Sequence, residues 1–233
     1  MGKLNSTFLF LALFPGASTN AVAATEILSR DAVSAAVGSA FQDILGGRPA
    51  QAVAKVEPVI ASFDAMQAGN PHACAQTEDQ AATLALLDAA KGDRKLTIVS
   101  LDYCAGYFIK GFALIDLHRA RDALPWLQSA HDHAPLHAHF TNELAEWYKA
   151  DRQWQKAYDL FREASDSADN AEETSRDPYK ARALRGMGYT RIETGDLNEA
   201  EALFNASLKL EPGSKAALNE LEYIRSLRRT PTT

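Results

Sequence analysis

The stretch LRGMGYTRIETGDLNEAEALFNASLKLEP, residues 184–212, decides the fold. Leu184, Met187 and Gly188 share one helical face, Gly195-Asp196 marks a turn, and Ala200, Phe204, Leu208 and Leu210 resume the apolar spacing until Pro212 closes the segment. The same positions recur upstream. Gly188, Ala200, Phe204 and Ser207 correspond, 43 residues earlier, to Ala145, Ala157, Phe161 and Ala164. A further 34 residues earlier stand Gly111, Ala123, Leu127 and Ala130. Each offset is constant at all four places, so a single nine-residue insertion separates the second copy from the third. Small residues at these sites let paired helices approach, and Leu127, Phe161 and Phe204 fill the space between units.

This pattern resembles the tetratricopeptide repeat family, whose unit is a 34-residue pair of antiparallel helices. The resemblance implies an all-α, right-handed solenoid with copies at about 103–137, 138–171 and 181–214. The family's second-turn tyrosine is present as Tyr148, but its counterparts are Leu114 and Arg191. Residues 215–228 place Ala217, Leu218, Leu221 and Ile224 on one face and predict a terminal capping helix, with 229–233 as a tail. Residues 26–102 form a divergent helical region. Within it, Val33 to Leu45, the turn Gly46-Gly47-Arg48-Pro49, and Ala52, Val56 and Val59 read as a degenerate first copy. Thr77 to Gln80 is a capping box opening a helix that Gly92 ends. Leu96 to Val99 reads as an extended connector, because one strand cannot make a sheet, and Asp102 as the cap of the next helix. The insertion, about 170–179 with Glu172, Glu173, Asp177 and Pro178, reads as a solvated acidic loop or as a lip of a binding face.

Composition agrees with an ordinary globular protein. There are 233 residues, 46% hydrophobic and 23% charged, with two cysteines and a net charge of −6. These values exclude disorder, collagen and a disulfide-framed miniprotein. A pI near 5.5 without a basic run argues against nucleic acid. Residues 1–24 read as a secretory signal peptide: Lys3, the apolar run Phe8 to Phe14, then Pro15-Gly16 and small residues that place cleavage after Ala23 or Ala24. The run is too short to span a bilayer, so no transmembrane segment is expected in the mature protein, which is read as exported: periplasmic in a Gram-negative source, secreted otherwise. For an exported protein, Cys74 and Cys104 are either a disulfide clip or two separate buried thiols.

No catalytic motif, phosphate-cradling loop or zinc pattern occurs, so no enzyme activity and no cofactor are expected. His131, His133, His137 and His139 are the one cluster with ligand chemistry. They are either a metal site or side chains near a helix C-terminus, favoured by its dipole. The resemblance implies a non-catalytic adaptor whose first helices line a concave surface that binds a protein or peptide. Carried onto this sequence, that surface includes Phe108, Phe112 and Ile115, then Asn142, Glu146 and Lys149, then Arg185, Tyr189 and Ile192, and Asn219 and Tyr223 on the capping helix. Phe108 and Phe112 stand where the family's carboxylate-gripping lysine and asparagine would be, so recognition of a partner's C-terminal carboxylate is not expected. The alternative is that Phe108, Phe112 and Tyr189 pack against the N-terminal helices.

Overall fold

A computed structural model of the protein describes residues 27–92 and 96–229. The stretch read as a signal peptide, with its expected cleavage site at Ala23 or Ala24, and the last four residues of the tail lie outside these. Among the described residues ten helices follow one another, largely as antiparallel pairs. Helices α1 (Arg30–Leu45) and α2 (Pro49–Gln67) form the degenerate first pair. Ser29 caps α1 by accepting from the Ala32 amide, and Gly47, at φ +67°, turns the backbone. Asp43, 3% exposed, accepts from Arg48 at 2.9 Å and pairs with Lys55 at 2.5 Å, which pins the turn. Hydrogen bonds from Lys55 and Arg48 hold its carboxyl below the usual carboxylate range.

The three repeat copies are α4 (Leu101–Asp116) with α5 (Ala120–His133), α6 (Ala138–Ala150) with α7 (Trp154–Ser167), and α8 (Glu173–Thr194) with α9 (Leu197–Leu210). The positions matched in the sequence are where the helices meet. A Cβ on Gly111 would come within 2.8 Å of Leu127, and one on Gly188 within 2.8 Å of Phe204. The inter-helix turns are equivalent too. His118, Arg152 and Gly195, separated by the same 34 and 43 residues, all adopt positive φ. Arg191, in the tyrosine's place, pairs with Glu199 at 2.5 Å and lies over the Tyr158 ring at 3.7 Å, so a charged contact replaces an aromatic one.

α10 (Lys215–Arg229) buries Ala217, Leu221 and Ile224 against the last repeat, but Leu218, expected on the same face, is half exposed. One apolar core runs from Val33 of α1 to Met187 of α8, and a smaller one joins α8, α9 and α10 through Ile192, Phe204 and Ile224.

The structure corrects three expectations about the interruptions. The extended connector is a strand: β2 (Thr97–Ser100) pairs in parallel with β1 (His72–Ala75), joined through α3 (Glu78–Ala90), so its partner lies about 25 residues upstream. The alanines and histidine of β1 give little strand signal on their own. Ser100, not Asp102, caps α4, and Asp102 sits in the first turn, where the helix dipole favours it. The acidic insertion is not a loop. After a 3-10 turn at Ala168–Asn170 it lengthens α8 to 22 residues, against 16 and 13 for α4 and α6, with Pro178 inside the helix.

Cys74 of β1 and Cys104 of α4 form a disulfide with Cα atoms 6.1 Å apart. The two interruptions also touch: Gln80, 1% exposed on α3, donates to the carbonyls of Leu136 and Asn170, each at 3.3 Å.

Candidate functional site

The first helices of each pair pack on one another, α1 on α4, α6 on α8 and α8 on α10, while Phe108 of α4 stacks on Phe140 of α6 at 4.8 Å. These helices form one layer. Two recesses open on it. The first, about 220 Å³, is an apolar cleft between Phe41, Ile44 and Leu45 of α1 and Phe108, Ile109 and Phe112 of α4, edged by His139 and Glu143. Phe41 and Leu45 are 48% and 67% exposed at its mouth. The second, about 190 Å³, is polar, with Glu146, Lys149, Arg182, Arg185, Tyr189 and Glu220 around it. The recesses abut at the ion pair of Glu143 and Arg182, 2.6 Å long. Burial works against the charge of Arg182, but Glu143 outweighs it and holds the guanidinium pKa above its ordinary value.

Of the residues expected on this surface, Phe112, Glu146, Arg185 and Tyr189 line a recess. Phe108 does so only with its edge, being 8% exposed and mainly core. Asn142 is not available to a partner: it is fully buried and donates to the Tyr179 carbonyl at 3.2 Å. The lengthened α8 covers it, which no family pattern contains. Asn219 is exposed beside the polar recess, and its neighbour Glu220 lines it instead. Phe41, Leu45, Arg182 and Glu220 line the recesses without being marked by the family pattern. For the first two, the spacing of Phe41, Ile44 and Leu45 on one helical face is a signal visible in the sequence.

The four histidines do not converge. His131 faces Thr141 at 3.2 Å, and His133 accepts from Gln67 at 3.2 Å and stacks on Tyr107. His137 packs on Phe140 at 4.1 Å, and His139 stacks on Tyr179 at 5.5 Å. Among the described residues no group of three His, Cys, Asp or Glu side chains is placed to hold a metal ion, which corrects the metal reading. Each ring is committed to a different neighbour.

Burial, and secondarily His139, push the His137 pKa from 6.5 down to about 3. The folded ring therefore stays neutral while the unfolded state gains a proton below about pH 6.5, so stability falls as pH falls through that window. This group alone is expected to cost about 2 kcal/mol at pH 5 relative to pH 7. Urea unfolding at the two pH values should show a smaller difference in His137→Phe than in the parent, and an unchanged difference would refute the assignment.

Residues 136–210 match the family profile described as tetratricopeptide repeat. These residues are tetratricopeptide repeats. The match spans the second and third copies, and α4 with α5 repeats their packing ahead of it. No curated protein matches the sequence. Among solved structures, Pseudomonas aeruginosa pilF superposes with a TM-score of 0.59 at 12% identity, over 85% of this protein and 70% of that one. The Podosopora anserina putative kinesin light chain with nearly identical TPR-like repeats gives 0.51 at 14% identity, over 86% and 97%. At these identities the likeness concerns the fold, here an all-α solenoid of tetratricopeptide repeats with a small two-stranded insert.

Proposed function

We propose that this protein is a non-catalytic scaffold, exported to the cell envelope, that holds a protein or peptide segment in its concave groove. The observation that carries the reading is the apolar cleft: Phe41 and Leu45 remain about half or more exposed while an extensive core beneath them is closed. Large apolar anchors beside ion-paired arginines are what an interface core uses. The disulfide supports export, since such bonds persist in oxidising compartments, and so does the signal-like sequence of residues 1–24. Among the described residues no helix is long and apolar enough to cross a membrane.

Photo-crosslinkers at Phe112 and Tyr189 are expected to yield the same partner adduct in cells, and one at Arg162, on α7, none. Equal adducts from all three positions would sink the groove. Mass spectrometry of the protein released by osmotic shock or secreted should find an N-terminus at Ala24 or Thr25. An intact Met1 on the accumulated protein would refute export by this route.

A further inference from the structure

The cationic groups of the polar recess are already engaged. Arg182 is held by Glu143 at 2.6 Å, Arg185 by Glu211, and Lys149 by Glu146 at 2.5 Å. Lys149 also lies over Tyr189 at 5.1 Å, so its charge is satisfied inside the groove. Glu220 has no ion-pair partner within 4.0 Å among the described residues. The carboxylates of Glu193 and Glu220 add to burial in raising the Tyr189 pKa. Burial also raises Glu220 above the usual carboxylate range, with Lys149 and Glu193 pulling in opposite directions. The unmatched charge at this end of the groove is negative, as is the whole protein at −6. A cation arriving there would pair with Glu220 and lie beside an aromatic ring. An incoming anion would meet Glu193 and Glu220, while Lys149, Arg182 and Arg185 are already held by carboxylates.

The other recess takes an apolar group. The cleft centres on α4 and the polar recess on α8, with α6 between them. Two helix spacings of 8–10 Å separate them by about 16–20 Å. An extended peptide rising about 3.3 Å per residue spans that distance in about five or six residues.

We infer that the occupant is an extended segment of a partner protein carrying a large apolar side chain and, about five or six residues away, a lysine or arginine. The apolar side chain seats between Phe41, Leu45 and Phe112, and the cation seats against Glu220 and Tyr189. The inference rests on the groove reading above and specifies what the groove accepts.

The test is selection of a phage-displayed library of random dodecapeptides on the full mature protein, followed by fluorescence anisotropy with labelled synthetic peptides from the winners. Selected peptides should pair a leucine, phenylalanine or tryptophan with lysine or arginine at that spacing. Glu220→Lys should weaken their binding about tenfold and shift a repeated selection toward aspartate and glutamate. Leu45→Ser, at an exposed position that leaves the fold intact, should weaken binding by a similar factor without changing the charge preference. Peptides that need Leu45 and Tyr189 but show no preference for a basic residue, or bind the Glu220→Lys protein equally well, overturn the inference and leave the groove standing. If no selected peptide loses affinity with Leu45→Ser or Tyr189→Ala, the groove reading falls with it.

Discussion

Replacing Gly186 with alanine is expected to destabilise the protein by about 2–3 kcal/mol, although the same change in an open helix stabilises. A Cβ at this position of α8 would lie 2.4 Å from the ring of Phe161 on α7, far inside contact distance. The ring cannot step aside, being fully buried in the continuous core. Gly38, exposed on α1 with nothing within 4 Å of its Cβ direction, is the control: there alanine should stabilise by up to about 1 kcal/mol. Equal and favourable effects at both sites, by urea unfolding, would show that α7 and α8 are not in this contact. Phe161→Leu, destabilising alone, should cost at least about 1 kcal/mol less in the Gly186→Ala background, since the removed ring atoms are those the new methyl strikes.

The second large effect belongs to the disulfide. Cys74 and Cys104 close a loop with a sequence separation of 30, which in loop-entropy terms restricts the unfolded state by about 3–4 kcal/mol. The folded state adds a local consequence. The clip ties β1 to α4, so losing it should loosen the β1–α3–β2 insert before the repeats. The double variant Cys74→Ala/Cys104→Ala is therefore expected to lose that stability in equilibrium unfolding. Its amide exchange should rise first over residues 72–100 rather than over α6 to α9. Uniform loss of protection along the sequence would show that the insert and the repeats open as one unit.

How much of this is legible in the sequence depends on the range of each interaction. Gly111 and Gly188 are readable because each meets a partner in its own helix pair, within one repeat, and Ala145 holds the same place in the second copy. Gly186 is not, since its partner Phe161 belongs to the preceding unit and its counterparts in the other copies are Ile109 and Glu143. The histidines look like a cluster because they stand within nine residues. Their rings part because His131 and His133 end one helix while His137 and His139 begin the next.

The polar half of the groove is partly visible in the sequence. Glu146, Arg185 and Tyr189 follow from the family's geometry. Glu220 comes to light only once α10 is placed against α8. The apolar half depends on α1, whose register on α4 no repeat offset specifies.

By itself, the sequence determined the helix pairs, their turns, the position of the insertion and the capping helix. All of these follow from periodicity and small-residue placement within about 40 residues. Tertiary structure alone decided that the insertion would lengthen α8 and bury Asn142 under Tyr179, 37 residues away. It also decided that two weak strands would pair around α3 and that an apolar recess would lie beside a polar one on the first-helix layer. Those outcomes turn on which segments meet across the stack. Such contacts carry no local periodicity, because each is made once.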